Sequence, residues 1–380
     1  MRPLTLPLLV MLGCASPDSG DLFHAVELWV DEQPQDATDR AIRTIDSARE
    51  TLHVALPYGE DLGVTQAIID AMNRGVDVAV VTDVDTQDTE GVRALLDAGV
   101  PTTLADDAVE YFDFNILDDV AWPSTEAIMS EGFLIVDGQE AIVDAGLGQT
   151  IAGERVQVGL RGEEILEDLL TEHRQLFGGA DATSPTMYDG MAKSIADHRW
   201  FYRTGNDITL ELWFGPQQRL GKRLIDAVYG ARGSVKVLTN DFANEGMTLA
   251  LEEKAAAGFD VEVILGPGFE SSSQVLSRLF TSQTPSVRKY RIDDESRVPT
   301  IVIVDDGPDI QGTRSSPTKM FVLSHPMYSS ARLYRSETVL NDQLIDGTLL
   351  VFVDTHERSA ELETFRALYE RHLLNATEVN

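Results

Sequence analysis

The chain of 380 residues repeats itself, and this limits its architecture more than any other feature. Glu-Leu-Trp stands at 27–29 and again at 211–213, 184 positions on. TIDSARETLHVALPYGED (44–61) faces LIDAVYGARGSVKVLTNDFAN (224–244), and both hold Ala-Arg before a β-rich run. NRGVDVAVVTDVD (73–85) faces AAGFDVEVILGPG (256–268), offset by 183, and FLIVDG (133–138) faces IVIVDDG (301–307), offset by 168. Matches in one order predict a duplication. Halves of about 170–190 residues are domain-sized units, too long for solenoid repeats.

Within each half, helical and extended patterns alternate. Residues 38–49 place Ala41, Ile42, Ile45 and Ala48 at helical spacing, and Leu52–Pro57 is a short β run. Val64–Asn73 reads as an amphipathic helix stopped by Gly75, and a helix with Val92, Leu95 and Leu96 ends at Gly99. Between them Val76–Thr82 is a continuous Val-rich run, the pattern of a strand covered on both faces. Ile165–Phe177 and Leu362–Leu374 read as the closing helices of the two halves. The order predicts an α/β fold.

Three features together resemble the phospholipase D superfamily over roughly residues 25–375. They are Ala-Arg before a β run, a helix ending in Arg-Gly-Val before a buried strand ending in Asp, and Phe-Leu-Ile-Val-Asp-Gly in a twofold repeat. The resemblance implies two duplicated phospholipase D-like α/β halves about a pseudo-two-fold axis, with the site at their interface. It also implies His-x-Lys-x4-Asp in each half. Residues two apart on a strand share a face, so His and Lys reach the same phosphate. One His attacks phosphorus, the other protonates the leaving alcohol, and the lysines neutralise the phosphoryl oxygens.

This sequence departs from that pattern. MSEGFLIVDG puts Ser130, Gly132 and Asp137 at the motif positions of the first half, and RVPTIVIVDDG puts Val298, Thr300 and Asp305 at those of the second. The six lysines (193, 222, 236, 254, 289 and 319) follow Met191, Leu220, Ser234, Glu252, Val287 and Pro317 by two positions, so no His-x-Lys occurs anywhere. Loss of a nucleophile costs roughly 10⁶ in rate and loss of one charge-stabilising donor roughly 10²–10³. No catalytic residue is expected, and the two aspartates read as caps on the turns after their strands. The alternative keeps a phosphodiesterase or phosphatidyltransferase with Ser130 as nucleophile and His325 as base.

Other constellations add little. The histidines (24, 53, 173, 198, 325, 356 and 372) show no metal-ligand spacing, and DVDTQDTEG (83–91) fails as a calcium loop because Asp88 and Ala94 replace its Gly and Glu. No cofactor and no metal is implied. Tyr111, Phe112, Phe114 and Trp122 lie where the family carries substrate-specific insertions. Charge excludes a nucleic-acid reader: the chain has 30 Lys and Arg against 63 Asp and Glu. The imbalance is concentrated in residues 1–190, which carry 37 acids, 9 Arg and no Lys.

The opening MRPLTLPLLVMLGC resembles a bacterial lipoprotein signal, with Cys14 lipidated. Ala15 rather than Asp after the cysteine then implies the outer membrane. The chain divides into a signal (1–13), a tether (14–22), a first repeat (23–177), a linker (178–206) and a second repeat (207–380). The sequence thus predicts a monomeric, lipid-anchored envelope protein with a lost active site and a binding or scaffolding role. It names no protein or small-molecule partner.

Overall fold

The computed structural model describes residues 25–31, 33–106, 128–150, 153–178, 188–189, 200–203, 208–215, 218, 220–240, 245–266, 287–292, 298–305, 318–323, 345–346, 348–354 and 359–379. The first half runs β1 (Ala25–Asp31), α1 (Pro34–Ser47), β2 (Thr51–Leu56), α2 (Leu62–Asn73), β3 (Asp77–Asp83), α3 (Glu90–Asp97) and β4 (Thr102–Asp106). It continues with β5 (Ile128–Met129), β6 (Phe133–Val136), β7 (Glu140–Asp144), β8 (Arg155–Arg161), α4 (Glu163–Gly178) and β9 (Tyr188–Asp189).

The second half runs β10 (Trp200–Arg203), β11 (Ile208–Phe214), α5 (Leu220–Gly230), β12 (Ser234–Thr239), α6 (Glu245–Ala256), β13 (Asp260–Leu265) and β14 (Val287–Arg291). It ends with β15 (Thr300–Asp305), β16 (Thr318–Leu323), β17 (Ile345–Asp346), β18 (Thr348–Asp354), α7 (Ala360–Asn375) and β19 (Thr377–Glu378).

Topology carries the duplication that the sequence predicts. The first sheet has the order β1-β8-β7-β6-β2-β3-β4-β9, and the second β10-β11-β18-β16-β15-β12-β13-β14-β19. Reading β1 as β11, β8 as β18, β7 as β16 and β6 as β15, with β2–β4 as β12–β14, makes the two orders identical across seven strands. The two Glu-Leu-Trp segments lie on the equivalent strands β1 and β11.

Local chemistry sets the boundaries. Pro34 stands in the first turn of α1, which starts four residues before the helical spacing is legible, and Ala37, Ala41 and Ile45 form its buried stripe. Asp61 caps α2 by accepting from the N–H groups of Gly63 and Val64. Gly75, at φ 91°, supplies the left-handed exit from α2 that an L side chain resists. Alternating side chains on β3 then point Val78 and Val80 toward α1 and α2, and Val81 to the opposite face.

That opposite face is shared. One apolar cluster joins Phe133, Ile135, Val158 and Leu169 of the first half to Leu210, Ile301, Phe352 and Phe365 of the second. Helix α7 packs on β1 as well as on β16, so it also spans the halves. Its Arg371 pairs with Glu154, and His372 Nε2 lies 2.5 Å from the second Glu154 oxygen. The outer faces carry separate cores, under α1 and α2 in one half and under α5 and α6 in the other. Among the described residues no helix is long and apolar enough to cross a membrane.

Candidate functional site

Both degenerate motifs stand at the entrances to adjacent-half strands, β6 and β15. In the first half the approach is tied across the interface: β5 pairs in parallel with β17 of the second half, Ile128 against Ile345 and Met129 against Asp346. The Met129 N–H donates to Asp83 Oδ2 at 2.6 Å, while Asp83 Oδ1 accepts from Asp85 at 2.7 Å. Asp83, at the end of β3, is thus engaged in holding backbone. Ser130 and Glu131 follow, both buried.

Gly132 occupies the position where the family places lysine. Its carbonyl accepts from the Asp144 N–H at 2.8 Å, and a side chain added here would run into the Asp144 backbone carbonyl. The strand entrance has closed around the glycine, so a lysine does not simply fit back. Because backbone rather than a flexible side chain blocks the space, Gly132→Ala is expected to cost about 3 kcal/mol. Chemical denaturation checks this; a loss under about 1 kcal/mol would mean that the backbone moves aside.

At the second entrance both motif positions hold uncharged residues. Val298 is clamped by Asn240, whose Oδ1 accepts the Val298 N–H at 2.8 Å and whose amide donates to the Val298 carbonyl. Thr300 Oγ1 lies 3.0 Å from Thr239 Oγ1 at the end of β12. Neither residue supplies the imidazole that attacks phosphorus or the cation that neutralises a phosphoryl oxygen in the family's reaction.

Asp137 has a role different from capping the turn that follows it. Asp137 sits at φ 51°, and its carboxylate accepts from the N–H groups of Arg49, Glu50 and Thr51 at 2.8–3.2 Å. Burial pushes that carboxyl up, but the bonds from Thr51, Glu50 and Arg49, with the Arg49 charge, outweigh it and hold it below the usual range. Asp305 stands at the same place in the second half, but there it is the backbone carbonyl that accepts from Arg232 and Gly233, with the side chain lying over Gly233. Ala-Arg and Val-Asp, read separately in the sequence, are thus neighbours across the start of β2 and of β12.

Residues 41–144 match the family described as cardiolipin synthase, PLD-like domain. This part of the chain is therefore similar to a phospholipase D-like family. The chain's fold matches phosphatidylserine synthase of Haemophilus influenzae Rd KW20 with a TM-score of 0.62 at 11% identity, covering 94% of this chain and 89% of that one. Polyphosphate kinase from Porphyromonas gingivalis matches with a TM-score of 0.57 at 12% identity, over 93% of this chain and 48% of the other. These likenesses are of fold. No curated protein matches the sequence.

His325, Tyr111, Phe112, Phe114, Trp122 and Cys14 lie outside the described residues. Among the described residues no group of three His, Cys, Asp or Glu is placed to hold a metal ion. What sequence reading missed is a pair: His53 on β2 and His173 on α4 meet edge-to-face, ring centres 5.0 Å apart. Phe177 stacks on His173 at 5.8 Å, and Phe133, beside the motif, meets it at 6.3 Å. Only the packing of α4 on β2 brings these imidazoles together.

Proposed function

We propose that this phospholipase D-like protein is a membrane-anchored lipoprotein that no longer cleaves phosphodiesters and serves in binding or scaffolding at the cell envelope. The observation that carries the reading is the chemistry of four positions. Ser130, Gly132, Val298 and Thr300 supply neither an imidazole nor a cation where the family's reaction needs two of each. The closed space at Gly132 and the Asn240 clamp on Val298 support it. The leader ending at Cys14 supports anchoring by acyl chains, of which two or more are needed for stable attachment.

The test has two arms. Purified protein is expected to leave bis-p-nitrophenyl phosphate, phospholipid vesicles and DNA at background rates. Turnover abolished by Ser130→Ala would overturn the inactive reading. Expressed with its leader, the protein is expected in the membrane fraction, and Cys14→Ser in the soluble fraction. If Cys14→Ser stays with the membrane, the anchor is not at Cys14.

A further inference from the structure

The duplication supplies an internal control for a cleft away from the motifs. On the outer face of the first sheet Glu27, Gly159 and Ile142 stand side by side across β1, β8 and β7, with Trp29 in the next row. The same places in the second half hold Glu211, Val351 and Phe321, with Trp213 next to them. There Val351, Phe321 and Trp213 fill one apolar cluster, and the Trp213 indole N–H donates to Glu211 at 2.9 Å. In the first half the Trp29 ring fills the space over Gly159, and beside it Glu27, Arg40, Ile142 and Arg161 line a cleft of about 200 Å³. Trp29 is only half-buried.

Charge then selects the occupant. Arg40, stacked on Trp29 at 4.5 Å, is held by Asp31 through bonds of 2.6 and 3.0 Å. Arg161 is held by Glu140 at 2.9 and 3.2 Å. Glu27 is exposed and has no hydrogen-bond or ion-pair partner among the described residues. The uncompensated group at the cleft is therefore a carboxylate, in the half of the chain that carries 37 acids against 9 Arg. The volume lies below the roughly 300–1,000 Å³ of pockets for drug-sized ligands, so it suits a group of a few carbons.

We infer that this cleft binds a primary ammonium group on a short apolar chain, with Glu27 as counter-ion and Trp29 and Ile142 against the carbons. An ammonium beside the Glu27 carboxylate is attracted to it, while the Trp29 ring, already carrying Arg40, offers its apolar edge to the carbons. The site is separate from the motif entrances, and the inference goes beyond the proposed function: it holds or fails whether or not phosphodiesters are cleaved.

Ligand-observed NMR on the whole chain, with n-butylammonium, butyrate and n-butanol at low ionic strength, provides the test. Saturable binding of n-butylammonium alone is expected. Glu27→Gln, an exposed change that leaves the fold intact, should weaken it at least about threefold. Ile142→Phe, which copies Phe321, should abolish it. No saturable binding of n-butylammonium, equal binding of butyrate or n-butanol, or unchanged affinity in Glu27→Gln would overturn the inference.

Discussion

Asp144→Ala is expected to lower the stability of the protein by about 3–5 kcal/mol, the loss associated with removing one partner of a buried ion pair. Its carboxylate, 1% exposed, is paired with Arg155, whose side chain is 9% exposed. It also accepts from Gln157 Nε2 at 2.6 Å and from the Gly146 N–H at 2.8 Å. From there the network extends in two directions. Arg155 donates to Thr38 at 3.1 Å, and Thr38 to Asp61, the cap of α2. Gln157 Nε2 also reaches the Ala37 carbonyl at 3.0 Å, and its Oε1 accepts from Arg40. Truncating Asp144 leaves a guanidinium under α1 without its counter-charge.

The second half shows what the same position looks like without charge. Leu323 stands in place of Asp144 and Leu349 in place of Gln157, both buried. Replacing the whole group, as Asp144→Leu with Arg155→Met and Gln157→Leu, is therefore expected to leave stability within about 1 kcal/mol of the natural chain or above it. Urea unfolding of the single and triple variants separates the two terms. A triple variant as unstable as Asp144→Ala would mean that the ionic network itself holds α1 on the sheet.

Legibility followed the range of the interactions. The duplication, the strand at Val76–Thr82 and the closing helices rest on local periodicity, and β3, α4 and α7 lie within a few residues of those readings. The degeneracy of the motifs was equally open to reading, since it depends on residue types at fixed spacing. The closure around Gly132 was not, because the obstructing Asp144 carbonyl arrives from another strand. Asp137 was assigned to its own turn for the same reason: its three donors lie on the segment leading into β2. In the apolar run Ala-Ile-Val-Asp, Asp144 looks like a strand end, and nothing in that run announces Arg155 or Arg40. The cleft at Gly159 is visible only once the registers of the two sheets are laid over each other.

Acid should weaken the fold through His173. The imidazole is 1% exposed, stacked on Phe177, with Nε2 3.3 Å from the Val54 carbonyl. Burial, reinforced by the neighbouring His53, lowers its pKa to about 3 against an ordinary 6.5. His53 is lowered as well, first by burial and then by the Arg174 charge, with Asp77 opposing. The unfolded chain therefore binds a proton at His173 below about pH 6.5 that the folded chain refuses until about pH 3. Stability is complete above this window, falls by up to about 1.4 kcal/mol per pH unit within it, and loses nothing further from this group below it. His173→Gln retains an amide donor for Val54 and removes the titration. Between pH 7 and pH 4.5 the natural chain should lose about 2.5 kcal/mol more than the variant, measured as the difference of two urea series. Equal losses would mean that His173 takes up its proton inside the folded protein, and that α4 leaves room for water beside it.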